Sequence, residues 1–236
     1  MNQGLSRFPL HIGVIPDGNR RWARKNNTDF FSAYRIGADK VEDFLDWAIE
    51  MGIKAVTVYV LSLENLMNRS ETEKKIVYEL LINKLIKTRS DPRIHNNRVR
   101  ITAIGRWRNL PQRVVDEILN AMNSTSNYGD HFLNLAIAYG GLQSVVDMVN
   151  GMLGAKGEIS DSELFKYLPP TSFLPHPMID LVIRTGGGEY RLSNFFPLET
   201  AYAEMYFTNK YWPDFGRDDL IDALNFYAGR ERRFGR

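Results

Sequence analysis

"HIGVIPDGNRRWARKNN", His11 to Asn27, is the stretch from which the fold class is read. His11–Ile15 is an apolar, β-rich run, Pro16 stops it, and Asp17 and Gly18 supply turn chemistry before Asn19–Lys25 begins a helix. The same alternation continues along the chain. Further strand runs are predicted at Ala55–Leu61, Val99–Ile104, Phe132–Ala138, Ile179–Ile183 and Ala201–Phe207. Amphipathic segments separate them at Tyr34–Met51, Glu71–Lys87, Pro111–Met122 and Leu142–Leu153, with a shorter one at Ser160–Leu168 and a closing one at Arg217–Tyr227. In Tyr34–Met51, the residues Val41, Phe44, Leu45, Ala48 and Ile49 form one apolar stripe, so this helix covers a sheet. Strands alternating with helices, with no obvious linker between them, imply an α/β fold with crossovers and a largely parallel six-stranded sheet, while length alone does not choose between one domain and two. Ligands of such a sheet should then sit outside the carboxyl ends of the strands.

Composition narrows the chemistry. Of the 236 residues, 44% are hydrophobic and 25% charged, enough apolar material for a sizeable core. A net charge of +2 is too mild for nucleic-acid binding as the main task, so the basic residues are expected to serve local sites. With no cysteine and four scattered histidines, thiolate and imidazole metal sites are disfavoured, and any metal should be hard and oxygen-bound. The amino terminus lacks a hydrophobic signal segment and no stretch is long enough to span a bilayer, so a cytoplasmic location is expected.

Two loops carry the chemistry. After the first strand, Arg20 and Arg21 can make charge-assisted contacts to phosphate near a helix start. Asp17 beside them makes sense if a divalent cation bridges acid and phosphate, since magnesium typically takes one or two carboxylates plus phosphate oxygens. The bland alternative is a capped helix with solvated bases. The second loop, "DLVIRTGGGEYRLSNFFPLETAYAEMYF", leaves a strand with Arg184, passes three glycines that allow close backbone approach, and reaches Arg191 and Ser193. Glu204 on the following apolar strand needs a partner, either a salt bridge or a metal. Neither loop has the glycine–lysine phosphate loop of nucleotide hydrolases or the dinucleotide fingerprint. Two phosphate-ready loops suggest two anionic substrates.

With these residues in view, the chain resembles the cis-prenyltransferases, the undecaprenyl diphosphate synthase family. The resemblance rests on "DGNRRWA" (Asp17–Ala23), "SLENLMNR" (Ser62–Arg69), "GRWRNLP" (Gly105–Pro111), "YGG" (Tyr139–Gly141), "IRTGGGEYRLSNF" (Ile183–Phe195), "AYAEMYF" (Ala201–Phe207) and "RERRFG" (Arg230–Gly235), in family order. It implies a single α/β domain over residues 1–236 and a homodimer, with an apolar tunnel between helices and sheet, coupling an allylic prenyl diphosphate to isopentenyl diphosphate with Mg2+. Asp17 would assist loss of the allylic diphosphate through magnesium, and Gly18, Asn19, Arg20 and Arg21 would cradle it. Arg184, Arg191 and Ser193 would hold the second diphosphate, and Glu204 would help place magnesium. Asn65 matches a position near the condensing carbons, with Arg69 after it, although Asn65 as a turn residue stays open. Trp22 is carried with the first motif as a substrate-binding candidate, as are Tyr34 and Arg69, although an aromatic at the Trp22 position packs the core by default. The basic ending would close over a diphosphate, from a neighbouring subunit, and release of a long lipid would bring transient membrane contact.

Departures from the family pattern gather at the first substrate. Pro16 replaces a usual methionine, Phe30 and Tyr34 stand where many long-chain synthases have arginine and histidine, and Arg20, replacing a glycine, is expected to compensate. Loops Asn65–Arg69 and Gly186–Arg191 each carry an extra residue, while Ala138 and Leu142 replace a frequent asparagine and arginine. Several of these, with "FFPL" at Phe195–Leu198, resemble the lavandulyl-type branch, which joins prenyl units in a non-head-to-tail manner and would use dimethylallyl diphosphate as second substrate. The alternative reading is a catalytically silent prenyl-binding partner subunit. Such a subunit would be expected to lose the acid or the arginines that this chain keeps. Val60, Leu61 and the apolar helical faces are tunnel-wall candidates by family position, or plain core.

Overall fold

The structure, a computed structural model, describes residues 8–153, 160, 164, 167, 168 and 178–230. Six strands form one sheet in the order β3-β4-β2-β1-β5-β6, every neighbouring pair parallel. They are β1 His11–Ile15, β2 Ala55–Ser62, β3 Val99–Ile104, β4 His131–Tyr139, β5 Leu181–Arg184 and β6 Glu204–Phe207. Side chains alternate across the sheet. Ile12, Val14, Val56, Val58, Leu181 and Ile183 enter the main core on one face, while Tyr59, Ala136 and Val182 join Phe195 and Phe196 on the other.

The helices are α1 Asn19–Lys25, α2 Phe30–Glu50, α3 Leu63–Asn68, α4 Glu71–Thr88, α5 Pro92–Asn96, α6 Gln112–Ser124, α7 Gly141–Met152 and α8 Arg217–Ala228. α2 starts four residues before the apolar stripe suggests, because the Asp29 side chain accepts the Ser32 amide at 2.9 Å and caps it there. α4 starts at a reciprocal capping box of Ser70 and Glu73. β6 begins at Glu204 rather than Ala201, since the Ala203 amide bonds to the Thr200 carbonyl and keeps Ala201–Ala203 in a turn. Most of the expected helix Ser160–Leu168, and all of the basic ending after Arg230, lie outside the described residues.

A polar line crosses the sheet core. His11 is buried with Nδ1 3.2 Å from the Met178 carbonyl and Nε2 2.7 Å from Thr57 Oγ1, which also accepts from Asn134 Nδ2 at 3.0 Å. Burial holds the His11 pKa down at about 4, against the raising influence of Asp180. The ring is therefore neutral at pH 7, with its proton on Nδ1 facing the carbonyl and Thr57 donating to Nε2. No helix among the described residues is long and apolar enough to cross a membrane.

Candidate active site

β1 lies inside the sheet, with β2 on one side and β5 on the other, so the loops leaving their carboxyl ends meet. Asp17 ends the β1 turn, Arg184 ends β5, and Ser62 at the end of β2 caps α3 by accepting the Asn65 amide at 3.0 Å. The turn after β1 requires glycine: Gly18 has φ +104°, and a Cβ there would stand 2.7 Å from the Tyr211 ring. Gly186, φ +115°, brings its backbone so close that a Cβ would lie 2.9 Å from Asp17 Cβ. This close approach locks the two phosphate-ready loops together.

Arg184 is the hub. Only 5% exposed, it donates through Nη2 to Asp17 Oδ2 at 3.0 Å and through Nη1 to Ser193 Oγ at 2.6 Å and to the Arg191 carbonyl. Its Nε is buried with no partner among the described residues. The other oxygen of Asp17 accepts the Gly18 amide at 2.6 Å and faces Arg21 at 3.2 Å. Ser193 and Asn194 both adopt left-handed backbone, φ +49° and +64°, as does Phe196 at +42°. Three such non-glycine residues within four positions hold this loop in a costly shape, of the kind that accumulates at functional sites.

A second charged group lies across the opening. Arg69 Nη2 donates to the Tyr34 hydroxyl at 2.8 Å and its guanidinium carbon stands 5.1 Å from the Tyr34 ring centre. Its Nε and Nη1 are buried with no partner among the described residues, and burial lowers its pKa. Arg20 pairs with Glu73 at 3.1 Å and sits 5.5 Å over the Phe30 ring, the position whose arginine it is expected to replace. Spare donors on two buried guanidinium groups, aimed at one opening, make an anion-receiving mouth.

Behind this mouth lies a cavity of about 850 Å³. It runs between the sheet and helices α2 and α4, past Val41, Val58, Val60, Leu81, Leu85 and Leu135. Asp17, Gly18, Asn19, Arg20, Arg21, Tyr34, Asn65, Arg69, Arg184, Arg191 and Ser193 all line it, so eleven residues expected from the sequence converge.

Two expected residues stay out. Trp22 turns away from the cavity and donates from Nε1 to Asp214 at 2.6 Å, pinning α1 to the turn before α8. Glu204 opens β6 in register with Leu181, whereas Asp17 lies beyond the far end of β1, with its carbonyl bonded to Thr185. That offset is roughly 13 Å along the strands at the usual rise. Glu204 faces Arg230 Nε at 3.7 Å instead. The two acids thus do not share an ion within one chain. Among the described residues no three His, Cys, Asp or Glu side chains are placed to hold a metal ion.

The structure adds residues that sequence reasoning passed over. Arg24, one helical turn after Arg20, also lines the cavity, and its spacing was the available signal. Glu64 accepts from Asn194 Nδ2 at 2.8 Å, joining the α3 segment to the Ser193 loop.

Residues 15–235 match the family model described as undecaprenyl diphosphate synthase. Two similar curated proteins are tritrans,polycis-undecaprenyl-diphosphate synthases, geranylgeranyl-diphosphate specific, from Pyrobaculum aerophilum and Methanopyrus kandleri. Each is 44% identical, over 99% and 98% of this chain and 98% and 86% of theirs. Among solved structures, lavandulyl diphosphate synthase from Lavandula x intermedia, in complex with dimethylallyl diphosphate, superposes with a TM-score of 0.88 at 31% identity, covering 98% of this chain and 99% of that one.

Proposed function

We propose, on the premise that the chain belongs to the undecaprenyl diphosphate synthase family and is a prenyltransferase, that it joins an allylic prenyl diphosphate to isopentenyl diphosphate at the mouth and extends the cis-prenyl product into the cavity. The observation that carries this is the Asp17–Arg184–Ser193 array standing at the entrance of an apolar cavity.

The allylic diphosphate rests against the Gly18–Arg21 turn with Arg69 and Tyr34. The diphosphate of isopentenyl diphosphate rests on Arg184, Arg191 and Ser193. As C4 of the second substrate bonds to C1 of the first, the C1–O pair leaves on the diphosphate, and a proton leaves C2 of the new unit. Arginines already fixed around the departing diphosphate meet charge that grows only in the transition state, so they favour it over the bound substrate. Holding both substrates at one opening removes much of the entropic cost of encounter. Asn65, on the rim, positions the reacting ends, and the dry walls beyond keep water from the developing cation.

The donor set fits magnesium in one way. Asp17, about a third exposed at the mouth, supplies a single carboxylate, and diphosphate oxygens would supply other ligands, the pattern this ion prefers. Bound there, magnesium would offset charge on the leaving diphosphate. Glu204 has no place in that ion's shell within one chain.

A second reading has its own support. The likeness to lavandulyl diphosphate synthase, together with the tilted Phe30 and Tyr34 rings, centres 4.1 Å apart, where a more basic pocket is frequent, favours dimethylallyl diphosphate as an alternative second substrate. A homodimer is supported by the exposed stripe Leu142, Val146, Val149 and Leu153 on and just after α7. The protein would act in the cytoplasm, touching a membrane only to release product.

The deciding experiment is a magnesium-dependent assay of the purified chain. Dimethylallyl, geranyl, farnesyl and geranylgeranyl diphosphates are each offered with and without labelled isopentenyl diphosphate, and dephosphorylated products are identified by mass spectrometry and NMR. Elongated cis products are expected; branched products from dimethylallyl diphosphate alone would establish the second reading. No product from any pair would overturn both and favour the silent partner subunit.

A further inference from the structure

The deep end of the cavity is charged. The lining residues contributed by α2 are Tyr34, Gly37, Ala38, Val41 and Glu42, and none follows Glu42. From α4 come Val77, Leu80, Leu81, Lys84, Leu85 and Thr88. On both helices the walls are apolar for two turns below the mouth and then meet a carboxylate and an ammonium, with Leu85 beside Lys84 and Thr88 one turn further along α4 completing the lining. Lys84 Nζ bonds to Glu42 and to Asp39 across the gap between the helices. Glu42 also accepts from Lys87 Nζ at 2.8 Å and Arg93 Nη2 at 2.6 Å.

The space in the whole cavity, the surroundings of this pair included, is limited. An engineered cavity of 150 Å³ holds one benzene, roughly 25 Å³ per carbon. At that density about 850 Å³ accommodates roughly 35 non-hydrogen atoms, and the diphosphates at the mouth take a share of them. An eleven-unit prenyl chain needs more than that. Hydrocarbon that reaches Lys84 and Glu42, whose side chains are each about a quarter exposed, meets a paired, partly hydrated charge and can pass between the helices only by parting it, which strips both ions of partner and solvent.

We propose, resting on the prenyltransferase reading above, that the Lys84–Glu42 pair is the chain-length stop of this protein, a charged clasp between α2 and α4 rather than a bulky side chain. The growing end advances until it meets the clasp, and the product then leaves. The structure also allows the clasp to be opened without wrecking the fold. With Lys84 neutralised, Glu42 keeps Lys87 and Arg93 as partners, and Asp39, whose side chain is 52% exposed, returns to water.

The test compares wild type with Lys84→Met and Lys84→Arg, each purified as the full chain and given farnesyl or geranylgeranyl diphosphate with excess labelled isopentenyl diphosphate and magnesium. Product lengths are read by mass spectrometry after dephosphorylation, and the first condensation is timed separately. Lys84→Met is expected to move the product distribution upward by at least a single five-carbon unit while its first condensation stays within about twofold of wild type. Lys84→Arg is expected to keep the wild-type length. Unchanged lengths in Lys84→Met, with a normal first condensation, overturn the clasp alone and leave the enzymatic reading standing. Longer products from Lys84→Arg as well overturn it too, since packing rather than charge would then set the stop. A wild type that elongates nothing overturns the prenyltransferase reading and the clasp with it. Should Lys84→Met fail to fold, Lys84→Gln removes the charge while keeping a hydrogen-bonding group and is judged by the same outcomes.

Discussion

The two ends of the cavity use the same side chains for opposite ends. At the mouth, Arg184 and Arg69 are buried with nitrogens that no described residue satisfies. Behind the deep end, outside the lining itself, Arg93 meets Asp91 at 2.5 Å, the lining residue Glu42 at 2.6 Å and Asp46 at 3.2 Å, and its pKa is pushed up by those acids. A guanidinium with spare donors holds desolvation cost in reserve for an anion that has yet to arrive. One fully surrounded by carboxylates has nothing left to offer a ligand and ties helices together instead. The spare nitrogens, rather than the count of basic residues, mark which arginines face substrate.

The largest effect should come from the acid that sits among the mouth arginines. Asp17→Ala is expected to lower turnover at least about a hundredfold, a loss of about 3 kcal/mol of transition-state stabilisation. The chain should still fold, because Arg184 keeps Ser193 and the Arg191 carbonyl as acceptors, but with a stability loss of about 1–3 kcal/mol from the carboxylate partner that Arg184 loses. Steady-state kinetics with circular-dichroism melting reads both quantities. Near-normal turnover would remove Asp17 from the chemistry and leave the mouth a structural salt-bridge cluster.

Arg69 tests the contrast more sharply, since activity and stability should move in opposite directions. Arg69→Met is expected to raise KM for the allylic diphosphate about tenfold, as a charge-assisted contact is lost. The same change relieves two buried nitrogens that no described residue satisfies, so urea unfolding should show stability unchanged or higher by about 1 kcal/mol. Arg93→Met at the deep end should do the reverse, costing stability without touching KM. If Arg69→Met destabilises the protein as Arg93→Met does, the distinction drawn from spare donors fails.

Much of this was legible before any coordinates. β1 and β3 run over the very residues that alternation and turn chemistry predict, because Pro16 and Gly105 punctuate them locally. Boundaries moved where the deciding bond was tertiary or a side-chain cap, as at Asp29 for α2 and Thr200 for β6. The mouth residues were readable as chemistry, but which of them have spare donors depends on burial and partners from distant segments. Trp22 looked like part of a binding motif because it lies between binding residues, yet helical geometry turns it to Asp214. Glu204 and Asp17 could be paired on paper because neither the parallel register nor the end of the strand each occupies is written in local sequence. Lys84 was readable in principle, as it interrupts the apolar spacing Val77, Leu80, Leu81, Leu85, but α4 by itself does not reveal that Glu42 answers it from α2.

The last prediction concerns that deep cluster, and it separates the two ends by pH. Burial raises the Glu42 pKa, but hydrogen bonds from Lys84, Lys87 and Arg93 outweigh it and hold the carboxyl at about 2, below its ordinary 4.5. A carboxyl whose folded pKa is depressed releases its proton more readily in the folded state, so it stabilises the fold at any pH above 4.5. As pH falls from 4.5 toward 2 the unfolded chain takes up the proton first, and that contribution disappears. Glu42 is about a quarter exposed, so solvent screening reduces the gain to about 1–2 kcal/mol at pH 7. Glu42→Gln should therefore be less stable than wild type by that amount in urea melts at pH 7 and at pH 5.5, with the difference narrowing between pH 4.5 and pH 3. A difference that persists undiminished at pH 3 would mean that packing rather than charge pairing holds α2 to α4, and the contrast between a paired deep end and an open mouth would lose its electrostatic basis.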